Sequence, residues 1–544
     1  MKGKDEKMIN LAEGLVTALK DLGVKYVFGI PGGPSIPYMN EMKKQGIEFI
    51  TTGNEQSAGM MADVFGRLTG IPGVCHATFG AGATNLATGV GGAWLDRSPL
   101  IALTTEFRDE DLGRRIQMNM DQQSFMAPIT KWTTRLSNEN FHYTLSRAFS
   151  ESLSENPGPV HIGLPTNTHD DVIASSDITI RFETAKVALP DPADLISAKE
   201  VIEASRKPIL AIGLTAYRHG LSKEIKTFIE KQKLPVVITP MAKGMLHEDH
   251  PSYAGILFHA NSNIVANIYR EADLVIGIGY DSIEFNYETW MPNVPLVHMD
   301  TEPLDITKDY KETYEVIGDL KTSMDFLNTL DIYENDWNLD DVVENKRILF
   351  EALVPNTGSF NPSEALEVIR EVLPKDGILT ADVGAHLHLI GQLWKMGEEG
   401  TLLMTNGWST MGFGIPSAIG AKLCKPEKTV VCVTGDGGFL MNCGELMVAR
   451  RLGLNVVIVV LVDNEYSLIK VKQEWKAVDQ YATTVLEGNY FEADKFLGVP
   501  VFQARNENEM RAKLNEAITM DGPVIIEAFV DGSVYSSMII KDHK

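Results

Sequence analysis

The stretch TGDGGFLMNCGELMVARRLGLNVVIVVLVDNEYS, residues 434–467, decides the fold. It completes an apolar run, KTVVCVTGDGG, in which Gly435 and Gly437 let the backbone turn tightly around Asp436. Phe439, Leu446, Met447 and Leu452 then recur at helical spacing, and Gly453 suits the C-terminal end of that helix. The run NVVIVVLVD reads as a second strand that delivers Asp463 at its carboxyl end. A strand, a helix and a parallel strand put both carboxylates on one edge of a sheet, the edge where open α/β proteins bind ligands. Two carboxylates and a main-chain carbonyl there form an all-oxygen site suited to Mg²⁺. The amides of the Gly437-Gly438 turn and the helix that follows suit a diphosphate. Singly, each aspartate reads equally as a cap or turn residue; the 27-residue spacing in this element order carries the pattern.

Working outward, short apolar runs alternate with helical patterns along the whole chain. They are KYVFGI, GVCHATF, PLIALTT and PVHIGLP, then KPILAIG, PVVITP, DLVIGIG and PLVHMD, and finally GILTAD, TVVCVTGD, NVVIVVLVD and PVIIEAFV. Such runs, separated by helices, are what parallel sheets covered on both faces require. Polar, Pro-containing segments at 178–195 and 331–366 interrupt the rhythm as linkers. The expected architecture is α/β, with three Rossmann-like domains at 1–180, 190–335 and 360–544. No short-period repeat or low-complexity tract suggests a solenoid or disorder.

A chain of 544 residues with 44% hydrophobic content is too long for one core. Its formal charge of -24 opposes nucleic acid and anionic membrane as partners, because the summed field repels both. Cys75, Cys424, Cys432 and Cys443 form no CxxC pair and are too few to staple such a chain. The start reads as an amphipathic helix leading to a strand, with no cleavable apolar leader, and no run of about 18 apolar residues occurs. These features give a cytoplasmic expectation.

With the 434–467 pattern, two further segments resemble the acetolactate synthase-like branch of thiamine diphosphate enzymes, and the likeness runs over essentially the whole chain. TTGNEQSAGMMADVFGRLTGIPGVCHATFGAGATN, from Thr51, is similar to the family's pyrimidine-binding segment. TNGWSTMGFGIPSAIGA, 405–421, is similar to its central cofactor loop. The resemblance implies that the first domain binds the pyrimidine, the third binds the diphosphate, and the middle one is non-catalytic. It implies Glu55 as the acid that bonds the pyrimidine ring nitrogen, favouring the imino form that takes the proton from the thiazolium C2. Thr78 and Asn85 are implied as cofactor contacts. So are Ala385 and His386 in ADVGAHLHL, the Ser409 carbonyl, the Met411 prop under the bent cofactor, Gly437 and Gly438. Asp436, Asp463 and the Glu465 carbonyl are the implied Mg²⁺ ligands. In this family the cofactor bridges two subunits, so a homodimer is the smallest unit implied and a homotetramer is common.

The substrate reading stays open. Gln117 falls where benzaldehyde lyase-like enzymes carry an active-site glutamine, which bonds a carbonyl or hydroxyl without adding charge. Gly33, Trp408, Leu468, Ile469 and Gln473 are candidate pocket residues, while Arg114 and Arg115 read as a solvated pair. Pro34 stands where catabolic acetolactate synthases usually carry lysine. The flavin-contacting FDDR of biosynthetic synthases is not visible in GIGYDSIEFN, which speaks against FAD, and ADP is equally unsupported in the middle domain. The preferred expectation is acetolactate synthase-like carboligation of a 2-oxo acid or aldehyde. The alternatives are 2-oxo acid decarboxylation, hydroxyketone lysis, and a non-catalytic cofactor-binding homologue, against which stand the retained Glu55, Asp436 and Asp463.

Overall fold

The computed structural model describes residues 7–307, 312–486 and 494–540, so residues 1–6 and 541–544, assigned above to the end domains, lie outside the described residues. All twelve apolar runs are strands, and they take the four central places of three separate sheets. In the first sheet these are Tyr26–Gly29, Gly73–Ala77, Leu100–Glu106 and Pro159–Pro165. In the second they are Pro208–Ile212, Val236–Ile238, Leu274–Ile278 and Leu296–Asp300. In the third they are Ile378–Ala381, Val430–Gly435, Val457–Val462 and Val524–Phe529.

Flanking strands complete each sheet: Glu48–Thr51 and Trp132–Arg135, Tyr253–Ile256 and Thr313–Ile317, and Leu402–Leu403 and Val499–Ala504. These ladders are parallel throughout; Lys495–Phe496 adds a short antiparallel pair at the rim of the third sheet. With strands numbered along the chain within each sheet, the parallel order is 2-1-3-4-6-5 in the first and third and 3-2-1-4-5-6 in the second. The first and third sheets therefore share a switch point between their first and third strands, where successive loops diverge and leave a crevice. At that point in the third sheet, Asp382 follows one strand and Asp436 the other.

Helix Glu55–Thr69 packs across helix Gly414–Cys424, so the first and third sheets share one core in which Met61, Val64 and Phe65 meet Phe413 and Ile419. A Cβ at Gly420 would stand 3.2 Å from the Met61 carbonyl, which is why a small residue lies at the crossing. Asn54 caps the first helix by accepting from the Gln56 amide, and Gly70 ends it in the left-handed region at φ 69°.

One expectation is corrected. The helix read through Phe439 to Leu452 is interrupted: Asp436–Asn442 and Leu446–Arg451 are α-helical, but Cys443–Glu445 is a 3₁₀ turn, and Met447 faces outward. Gly444 weakens the helix there, while Asn442 and Glu445 turn their side chains onto the first domain. Gly453 does end the second piece in the left-handed region, at φ 62°. All four cysteines are free thiols, and no helix among the described residues is long and apolar enough to cross a membrane.

Candidate active site

The register of the third sheet places Gly435 opposite Leu461, so Asp436 and Asp463 leave neighbouring parallel strands on the same edge. Asp436 is 1% exposed. Its Oδ2 accepts from the amides of Asp463 at 3.1 Å and Asn464 at 2.7 Å, which locks the two strand ends together. Asp463 accepts from the Glu465 amide and the Ser467 hydroxyl, and burial raises its pKa despite those bonds. Glu465 follows Asn464, which turns through φ 61°, and its carboxylate is held by Gln480. Among the described residues, no three His, Cys, Asp or Glu side chains converge on a metal centre. A cation here would therefore draw on two carboxylates, a main-chain oxygen and oxygens of a ligand.

Two helices begin at this crevice, Ala385–Leu393 and Asp436–Asn442, and no side chain caps the positive end of either. Gly437 and Gly438 are small by necessity. A Cβ on Gly437 would lie 2.3 Å from Tyr466 Cε1 and 2.9 Å from Met411 Cε, and one on Gly438 would lie 2.7 Å from the Asp382 carboxyl carbon. His386 is buried against Gly384 and Gly435; its Nε2 has no hydrogen-bond partner, and burial lowers its pKa to about 4. Ala385 is buried beside it. The loop carrying Ser409 and Met411 closes the other side, with Ser409 in the left-handed region at φ 52°, a position that favours glycine.

Asp382, which the sequence reading quoted without singling out, fixes that loop. Its carboxylate is fully buried and accepts from the amides of Val383, Gly412 and Gly414 and the Thr434 hydroxyl. Burial still pushes its pKa to about 6. The available signal was that GILTAD ends its strand on an acid as TVVCVTGD does, one strand away.

At the matching edge of the first sheet, Glu55 is 9% exposed at the first turn of its helix. Its Oε2 accepts from Asn85 Nδ2 at 3.1 Å, and a Cβ on Gly82 would stand 3.2 Å from its Oε1. Thr78 follows strand Gly73–Ala77, shares a hydroxyl bond with Thr105, and closes on Gly32, whose turn leads into exposed Gly33. Gln117 lies on the exposed segment 112–118; the next residue, Met118, places its carbonyl 2.8 Å from where a Gly80 Cβ would be. Arg114 pairs with Asp111 on the surface.

The remaining pocket candidates separate. Trp408 is 40% exposed and its ring lies on Gly91; Ile469 is exposed, whereas Leu468 packs on the core of the third sheet. The Gln473 amide is spent on the main chain of Tyr481, at 2.8 and 3.1 Å.

Between the three sheets lies a cleft of about 800 Å³, lined by Arg67, Arg97, Arg218 and Lys243. Each of these cations is already paired: Arg67 with Asp63 and Asp96, Arg97 with Asp281, Arg218 with Glu155, and Lys243 with Glu248. With these cations engaged, a nucleotide diphosphate in this cleft would have to draw on main-chain amides.

A buried glutamate at the carboxyl edge of the first sheet, and a strand-end aspartate pair beneath a glycine cradle at that of the third, form an arrangement suited to a cofactor that carries a diphosphate. Three family models match in order: the thiamine pyrophosphate enzyme N-terminal TPP binding domain at 9–125, the central domain at 195–330 and the C-terminal TPP binding domain at 382–528. A probable acetolactate synthase large subunit of Methanocaldococcus jannaschii is 31% identical, over 96% of this chain and 92% of that protein. The acetolactate synthase isozyme 2 large subunit of Escherichia coli is 28% identical over 96% of each, and the acetolactate synthase of Bacillus subtilis 29% over 96% and 93%. The chain belongs to the thiamine pyrophosphate enzymes, in their acetolactate synthase-like branch. It is accordingly a thiamine diphosphate-dependent enzyme of the carboligase type.

Proposed function

We propose that this chain joins two 2-oxo acid molecules, or a 2-oxo acid and an aldehyde, with loss of CO₂, as an acetolactate synthase does. The supporting observation is the placement of Glu55 at the carboxyl edge of the first sheet and of the Asp436–Asp463 pair at the carboxyl edge of the third, two sheets with one strand order. Bound thiamine diphosphate supplies the thiazolium that stabilises the carbanion left after decarboxylation.

The rest falls to the chain's own residues. Asp436, Asp463 and the Glu465 carbonyl would hold Mg²⁺. The main-chain amides at the two helix starts, His386 Nε2, Gly437 and Gly438 would hold the diphosphate, a fit supported by the unpartnered ring nitrogen and the side-chain-free cradle. Met411 and the Ser409 carbonyl would set the cofactor's bend. Glu55, with Asn85 and Thr78 beside it, would hold a proton at the pyrimidine nitrogen. Glu55 bonds to Asn85 of its own domain, and Asp436 and Asp463 bond to residues 463–467 of theirs. A second copy facing across would complete each site, giving a homodimer or a homotetramer of such pairs, which we place in the cytoplasm. Trp408, Ile469, Gly33 and the Gln117 segment, all exposed, would stand at the rim, where the acceptor carbonyl would enter.

The test is product analysis by mass spectrometry after the protein, loaded with thiamine diphosphate and Mg²⁺, is given pyruvate alone, pyruvate with benzaldehyde, or benzoin. A branched C5 hydroxy-oxo acid from pyruvate alone is expected. Acetaldehyde as the sole product would make it a decarboxylase, and benzaldehyde from benzoin would make it a lyase working through Gln117.

A further inference from the structure

We propose that Glu445, with Asn442 beside it, is a positioning residue that sets the helix carrying Glu55, so that the diphosphate segment of the chain fixes its pyrimidine segment. The proposal rests on the reading of Glu55 given above. Glu445 belongs to the 3₁₀ turn at Cys443–Glu445, in the third domain, yet its carboxylate ends on the first. Oε1 accepts from the amides of Gly53 and Asn54, each at 3.0 Å, and Oε2 from Gly53 at 3.1 Å. Those amides immediately precede helix Glu55–Thr69, whose positive end also faces the carboxylate. Glu445 is 1% exposed, so an acid has been buried at a junction of domains where an apolar residue would pack at lower cost.

Asn442 adds a second tie. Its Oδ1 accepts from Gln56 Nε2 at 3.0 Å, and its Nδ2 donates to the Gly412 carbonyl at 2.7 Å. Gly412 follows Met411, and its amide is held by Asp382. A continuous set of bonds thus runs from Asp382 through the Met411 loop and Asn442 to the residues on either side of Glu55. The approach is close: a Cβ on Gly53 would stand 3.0 Å from Glu445 Oε1, so a side chain there would press on that carboxylate. Asn442 and Glu445, three residues apart at either end of this segment, present their side chains on one face, toward the first domain.

An acid that must meet one ring nitrogen depends on such support, because an error of about 1 Å costs on the order of a hundredfold in rate. Glu445→Gln keeps the shape and one acceptor. Gly53→Ala pushes on the same carboxylate from the other side. In protein without cofactor, both variants are expected to raise amide hydrogen exchange in the 51–56 segment while the rest of the chain keeps its protection. In protein loaded with thiamine diphosphate and Mg²⁺, both are expected to slow C2 proton exchange of the bound cofactor by about tenfold or more, with affinity nearly unchanged. Unaltered exchange at 51–56 in both variants would overturn the proposal. So would faster amide exchange with normal C2 exchange, which would leave Glu445 a purely structural tie. If the unaltered protein binds no thiamine diphosphate, the functional reading fails instead, and the amide exchange result still decides whether Glu445 holds the loop.

Discussion

Glu55 illustrates how much a single residue owes to its surroundings. Its carboxylate sits at the start of a helix, 9% exposed, with one oxygen bonded to Asn85 and the other over Gly82. Glu55→Gln preserves volume and the Asn85 contact but loses the anionic oxygen that holds a proton. The variant is expected to fold and bind cofactor normally, with C2 proton exchange down by about 10²- to 10⁴-fold, read by NMR on cofactor recovered after acid quench. Normal exchange would remove Glu55 from the chemistry. Glu55, Asp436 and Asp463 were legible in the sequence because each sits inside a local pattern of glycines and strand ends. Asp382 and Glu445 were not, because their meaning lies in partners far along the chain: Asp382 reaches Gly412 and Thr434, and Glu445 reaches Gly53. Gln473 shows the converse, since a polar residue in a promising segment was read as pocket-facing while its amide is tied to Tyr481.

At the scale of elements, the twelve strands visible in the sequence are those buried on both faces, whose apolar runs admit little else. The strands passed over flank them. Glu48–Thr51, Trp132–Arg135 and Val499–Ala504 are only partly buried, and Leu402–Leu403 is too short to carry a pattern. Tyr253–Ile256 is buried yet short and glycine-containing, so it too lacks a clear signal. The break at Cys443–Glu445 was illegible for another reason, because helical spacing persists on both sides of the turn. The Met411 loop likewise depends on the strand end beneath it. Asp382→Asn replaces one accepting oxygen with an NH₂ that cannot accept, leaving either the Gly412 and Val383 amides or the Gly414 amide and Thr434 hydroxyl unmet. A loss of about 1–3 kcal/mol in unfolding free energy is expected, together with weaker cofactor binding, measured by urea unfolding and by titration of thiamine diphosphate. Undiminished stability and affinity would show that the loop holds its shape without this carboxylate.

Across the whole molecule, the first domain is tied to the second by charge, through Arg97 with Asp281 at 2.6 Å and Glu155 with Arg218 at 2.5 Å. Glu155 also meets His219 and the Thr301 hydroxyl, each at 3.3 Å. Burial raises the Glu155 pKa, but the bonds from His219 and Arg218 outweigh it and hold the carboxyl at about 2, against an ordinary value of 4.5. Its side chain is 16% exposed, so solvent screening removes only part of the effect. The folded-state pKa lies below the unfolded one, so the stabilisation is complete above pH 4.5 and drains away as pH falls towards 2. The shift corresponds to about 3 kcal/mol at neutral pH. Glu155→Gln should therefore unfold at lower urea than the unaltered protein at pH 7, and the gap should narrow steadily as pH falls below about 4.5. Arg218→Met should produce the same narrowing, because it removes the other half of the pair. A gap of constant size across that range would mean that the junction is held by packing around Leu214 and Tyr217, with the ion pair contributing nothing of its own.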